Sequence, residues 1–151
     1  TVTGVQTCAL PISCFKMRRF VQLCNAFHIP LVFLEDQPGF MIGTRAERER
    51  ILYFAGGLLG AVQRAVVPKL TIQLRKAHGA AVWTMGSQPQ AGDLYLAWPI
   101  AVSTGTGPSS AVNTIHAREL DAAEAPAELR AALERQYNQT GSVLQIGRAH
   151  V

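Results

Sequence analysis

Two short apolar runs constrain this chain more than any other feature. Residues 29–34 (IPLVFL) and 70–74 (LTIQL) are bounded by turn formers and have the length of strands buried on both faces, as in a parallel sheet. Each leads into a glycine loop, DQPGFMIGT at 36–44 and RKAHGAA at 75–81. A helical stretch over about 46–66 separates them, with Gly56, Gly57 and Gly60 letting it lie close to a neighbour and Pro68 stopping it. Strand, crossover helix and strand make the α/β pattern, in which sites gather at the carboxyl ends of the strands. Both glycine loops fall there.

Further elements follow from local pattern. Residues 16–27 place Met17, Phe20, Val21, Cys24 and Phe27 on one helical face. A short helix is expected near 81–85 and a third strand over 94–98, stopped by Pro99. The stretch VSTGTGPSS (102–110) reads as loop and helix cap before a helix over 111–115, and 127–137 reads as a helix opened by Pro126.

The two ends of the chain answer each other. Written as codons, IGRAHV (146–151) is the reverse complement of DNA that encodes TCALPI (7–12). That DNA looks like a common short-read sequencing adapter. Residues 1–13 and 145–151 are therefore expected to be translated adapter, leaving 14–144 as the natural segment, part of one domain. Within it only Cys14 and Cys24 remain, which favours a reducing, cytoplasmic setting over a disulfide framework. A net charge of +4 with scattered arginines argues against nucleic-acid binding. No apolar run approaches the roughly 20 residues of a membrane helix.

Side-chain catalysis has little support in the pattern. Ser87 lies in MGSQP, without the flanking glycines of a nucleophile elbow, and no spacing rule joins it to His78 or Asp36. Cys24 and His28 share a helical spacing, but two ligands do not make a metal site, and none is expected. Arg75 and Lys76 are compatible with an anionic ligand or with a solvated loop edge. The loops themselves offer backbone: HGAA, at a strand end and opening a helix, exposes N–H groups beside small residues, an arrangement that stabilises a developing oxyanion.

Three motifs, a D-x-P-G-F loop after a strand, VPK before a strand ending in RKAHGAA, and AWP, resemble the C-terminal domain of biotin-dependent acyl-CoA carboxyltransferase β subunits. The resemblance covers about residues 16–120, in order and with family-like spacing. It implies the crotonase-like (ClpP/crotonase) ββα superhelix, here as a partial domain. It also implies a reaction in which carboxybiotin gives up its carboxyl group to the α-carbon of an acyl-CoA, with backbone amides holding the charge. By resemblance the biotin-side oxyanion hole is formed by Ala80 and Ala81, with Gly79 adjoining. Pro38, Gly39, Phe40 and Gly43 help form the biotin pocket with Gly107, and Trp83 stands where acyl-chain choice is influenced. The implied cofactor is biotin carried on a partner protein. The implied partners are the acyl-CoA, a biotin carboxylase with its biotin carrier, and further copies of the subunit through an interface of N- and C-terminal domains.

The chain departs from the family in having Ala80 where a second glycine is usual, and in the polar sequel to AWP. An alternative enzyme is a crotonase-type hydratase, isomerase or decarboxylase, for which Glu35 is the loop-edge acid. A third reading is a non-catalytic, oligomer-forming relative.

Overall fold

A computed structural model describes residues 11–87 and 92–144. The segments read as adapter lie outside the described residues, except that the first helix takes in Pro11, Ile12 and Ser13. That helix, α1 (Pro11–Ala26), buries Cys14, Met17, Val21 and Cys24. This stripe has the 3, 4, 3 spacing of one helical face. Phe20 and Phe27, expected on that face, are exposed instead, because the face that docks is rotated toward Cys14. The helix ends with His28 in the left-handed region and the Ile29 N–H on the Cys24 carbonyl at 2.8 Å, a Schellman closure ahead of Pro30.

Strand β1 (Leu31–Gln37) follows, then α2 (Thr44–Arg48) and α3 (Ile51–Arg64). One long helix was expected here. The break falls at Arg50, at φ 59°, and lets Ala46 and Ile51 both reach the core. On α3, a Cβ at Gly57 would stand 2.8 Å from the Arg18 guanidinium of α1, so a side chain there would have to displace that arginine.

Strand β2 (Lys69–His78) runs parallel to β1 and extends four residues beyond the expected end. Its start explains the VPK motif. The buried Lys69 ammonium donates to the Ala65 carbonyl at 2.5 Å, satisfying the C-terminal end of α3, while its N–H donates to Asp93 at 2.7 Å. After β2 comes a 3-10 helix (Gly79–Met85), then β3 (Leu94–Ala97) and β4 (Val102–Thr104), both parallel to β2 and both on the same edge of it. Strand β4 lies in what was read as loop. Three residues suffice because β2 runs long enough to pair Lys76, Ala77 and His78 with them. Helices α4 (Pro108–Ile115), α5 (Ala117–Ala122) and α6 (Pro126–Thr140) close the described chain, and α6 buries none of its residues.

Leu31 and Phe33 of β1 join α1 and α3 in one apolar core. The opposite face of the sheet is open: Val32 and Leu34 are 60% and 51% exposed, and Leu94 and Leu96 are exposed with them. Burial on both faces was expected, yet among the described residues nothing packs on this side.

Candidate active site

Three loops converge where β1, β2 and β4 end. The first holds Pro38 and Gly39, the second His78 and Gly79, the third Gly105 and Gly107. A Cβ on Gly39 would sit 3.3 Å from the His78 carbonyl oxygen, one on Gly79 3.6 Å from that of Gly105, and one on Gly107 3.9 Å from that of Pro38. Gly39 and Gly79 have φ of 106° and 65°, a region that favours glycine. At these three glycines backbone therefore lies against backbone of the neighbouring loop.

The second loop is built most tightly. Glu35 pairs with Gln73 and Gln37 with Ala77, so β2 carries extra residues between the two pairs. A bulge of this kind frees a backbone N–H, here that of Lys76, and it donates to Asp36 Oδ1 at 3.2 Å. Arg75 grips the same carboxylate through Nε and Nη2, the latter at 3.0 Å. Partial burial acts to raise the Asp36 titration. The Arg75 and Lys76 hydrogen bonds and their charges outweigh it and hold the carboxyl below its usual range.

The strand then delivers His78, buried, whose Nδ1 lies 2.7 Å from Thr104 Oγ1. The Thr104 hydroxyl proton goes to the Thr106 carbonyl, so the histidine donates through Nδ1–H. Burial, then the nearby Lys76 charge, lower its basicity, with Asp36 opposing. This fastens the end of β2 to the end of β4.

The 3-10 helix begins at Gly79, and its first amides have no acceptor inside the helix. Ala80 is exposed, Gly79 is half-buried and Ala81 is fully enclosed. The far end is pinned by the Thr71 hydroxyl on the carbonyls of Met85 and Gly86, and by Gly86 lying against the Phe33 ring. Thr84 Oγ1 donates to the Ala81 carbonyl at 2.7 Å.

The other predicted residues distribute unevenly. Pro38, Gly39, Gly79, Ala80 and Gly107 come together. Phe40 packs on the apolar core, and Gly43, at φ 108°, caps α2 with open space around it. Trp83 is half-exposed. Ser87, His78 and Asp36 form no relay, since the last two are engaged elsewhere and the buried Ser87 hydroxyl has no partner among the described residues. Arg75 pairs with Asp36. Cys24 sits in the core, and no group of three or more metal-ligating side chains occurs among the described residues.

Glu35 is not at a loop edge. It is fully buried on the inner face of β1, its Oε2 2.7 Å from the Tyr95 hydroxyl and its Oε1 3.4 Å from Gln37 Nε2. The acid required by a hydratase or isomerase reading is thus enclosed and hydrogen-bonded. Sequence reasoning missed this buried polar group. Its signal is the inner face of LVFLEDQ, which runs Leu31, Phe33, Glu35, Gln37 and turns polar toward the site.

A family model described as carboxyl transferase domain matches residues 3–149. A biotin-dependent acetyl-/propionyl-coenzyme A carboxylase beta5 subunit of Mycobacterium leprae is 43% identical over 129 residues, 83% of this chain and 24% of that one. An uncharacterized carboxylase of Bacillus subtilis is 44% identical over 117 residues, 78% of this chain and 22% of that one. The chain thus spans about a quarter of the length of the curated relatives it matches. Among solved structures, a transcarboxylase 12S crystal structure, described as a hexamer assembly with hydrolyzed methylmalonyl-coenzyme A bound, superposes with a TM-score of 0.81 at 33% identity. It covers 95% of this chain and 27% of that one. The likeness bears out the expected α/β, crotonase-like fold.

Proposed function

The chain belongs to the carboxyl transferase domain family, and we propose that it forms part of a subunit that moves a carboxyl group from carboxybiotin to the α-carbon of an acyl-CoA. One observation carries this reading: three glycine-bearing loops meet, backbone against backbone, at the carboxyl ends of parallel strands. Such a site suits a reaction whose catalyst is a set of oriented amides. Carboxybiotin, when bound, supplies the carboxyl group and leaves negative charge on its ureido oxygen. The residues present fit that group, because Gly79, Ala80 and Ala81 put only small side chains beside the first amides of the 3-10 helix and Ala80 is exposed.

In this reading Gly79, Ala80 and Ala81 hold the oxyanion. Ala80 is the exposed member and Ala81 the enclosed one. Pro38, Gly39, Phe40, Gly43 and Gly107 shape the biotin pocket, and the half-exposed Trp83 bears on the acyl chain. A biotin carboxylase and a biotin carrier are the partners, the cytoplasm is the location, and the subunit assembles with copies of itself to complete the acyl-CoA side. The test is avidin sensitivity. The intact subunit, mixed with a biotin carboxylase and a biotin carrier, should carboxylate acyl-CoA from bicarbonate and ATP, and avidin should stop it. Turnover indifferent to avidin would overturn the reading.

A further inference from the structure

Beneath the Pro38–Gly39 turn lies a continuous, partly buried chain of hydrogen bonds. The Gly39 N–H donates to Gln37 Oε1 at 2.7 Å, and Gln37 Nε2 faces Glu35 Oε1 at 3.4 Å. Glu35 Oε2 lies 2.7 Å from the Tyr95 hydroxyl oxygen, which lies 3.0 Å from Gln73 Oε1. Gln73 Nε2 donates to the Val102 carbonyl at 3.1 Å, and Ser103 Oγ donates to Gln73 Oε1 at 3.1 Å. Both amides are oriented by backbone groups whose roles cannot change. The Gly39 N–H makes Gln37 Oε1 an acceptor, and the Val102 carbonyl makes Gln73 Nε2 a donor.

The proton count along this chain is informative. Tyr95 has one hydroxyl proton, yet its oxygen makes two contacts of hydrogen-bond length, to Glu35 Oε2 and to Gln73 Oε1. Gln73 Oε1 has no proton to give. Were Glu35 ionised, the single Tyr95 proton would have to be shared between a carboxylate and an amide oxygen, leaving each contact half-made. A proton on Glu35 Oε2 satisfies both: Glu35 donates to Tyr95, and Tyr95 donates to Gln73. Glu35 Oε1 is then the carbonyl that faces Gln37.

We propose that Glu35 is a neutral carboxylic acid in the folded protein and that, through Tyr95 on one side and Gln37 on the other, it is a positioning residue for the Pro38–Gly39 turn. Its burial, which raises the Glu35 titration against the opposing Tyr95 and Gln37 hydrogen bonds, agrees with the count. The Tyr95 phenol is itself pushed up by burial and by Glu35, and stays protonated. Other ionisable groups on the surrounding strands are engaged elsewhere. Lys69 donates to the Ala65 and Val67 carbonyls, Asp93 accepts from the Lys69 N–H, Arg75 pairs with Asp36, and His78 bonds Thr104. Lys76 lies near Asp36 and His78. The positioning part rests on the biotin-pocket reading; the neutral-acid part does not.

The experiment uses the intact subunit and has three arms. In the first, wild type and Glu35→Gln, which mimics the neutral acid, are unfolded in urea across pH. A folded-state titration above the unfolded one means stability is full below about pH 4.3 and is lost as pH rises above it. The wild-type unfolding constant should therefore grow relative to the variant by up to about tenfold per pH unit in that window. The opposite slope, or none, overturns the neutral acid. In the second, the wild type alone should show a protonated-carboxyl infrared band at about pH 6 that survives well above the ordinary glutamate range. Its absence also overturns the neutral acid, even if the variant fails to fold. In the third, Tyr95→Phe should raise KM for free biotin about fivefold, the equivalent of one neutral hydrogen bond, and leave KM for acyl-CoA alone. Equal changes in both overturn the positioning role. A wild type without biotin-dependent activity would sink the functional reading and leave the first two arms to decide the rest.

Discussion

The Asp36 carboxylate accepts the Lys76 backbone N–H at 3.2 Å and the Arg75 guanidinium at 3.0 Å. One side chain thereby satisfies the amide that the β2 bulge leaves free and fixes the segment that leads into His78 and Gly79. The two bonds are separable. Asp36→Asn keeps an acceptor for Lys76 and loses only an exposed ion pair, so it should cost at most about 1 kcal/mol. Asp36→Ala loses both, and should cost about 1–2 kcal/mol more. Because the folded carboxyl titrates below its usual range, its contribution is present above about pH 4 and is lost as pH falls below that. Asp36→Asn should flatten that acid limb. Urea midpoints across pH measure all three effects, and equal losses for Asn and Ala would show that the Lys76 bond contributes nothing.

Gly39 and Gly43 share nearly the same unusual backbone, φ 106° and 108°, but not the same surroundings. A methyl on either incurs the conformational cost, of order 1–3 kcal/mol. Only on Gly39 does it also press on a backbone carbonyl, that of His78, at 3.3 Å; around Gly43 nothing lies within 4 Å. Gly39→Ala should therefore destabilise by about 1 kcal/mol more than Gly43→Ala. It should also weaken biotin-dependent turnover more. Thermal unfolding of the pair, with each assayed for carboxyl transfer, checks this. Indistinguishable variants would mean that the two loops do not touch as described.

What the sequence made legible, and what it hid, divides by the range of the interactions. β1, the crossover and β2 could be read because apolar runs, turn residues and Pro68 are local signals. The expected long helix broke at Arg50, a residue with no local mark of a break, where the gain comes from placing Ala46 and Ile51 in one core. β4 was read as loop because Val102, Ser103 and Thr104 become a strand only when the bulged β2 extends past Lys76. The Glu35–Tyr95 bond joins residues 60 apart in the chain and has no periodicity to announce it. The site loops were found because each carries glycines at a strand end. That they touch one another followed only from the fold.

Ala80 and Ala81 are adjacent and chemically identical, yet their surroundings predict opposite responses. Ala81 is fully buried on the inner side of the 3-10 helix, so Ala81→Val overpacks a closed space and should cost about 1–3 kcal/mol. Ala80 is exposed at the junction of the loops, so Ala80→Val should change stability by no more than about 0.5 kcal/mol. Its added methyls would stand on the side a ligand approaches, and carboxyl transfer should fall at least about tenfold, the equivalent of losing one well-placed oxyanion donor in part. Ala80→Gly should retain or improve activity, since it removes the one methyl that narrows access. The measurement is unfolding free energy beside kcat/KM for biotin in each variant. If Ala80→Val left turnover untouched while Ala81→Val behaved as predicted, the exposed amide would not face the reacting group, and the oxyanion site would have to lie elsewhere on the loops.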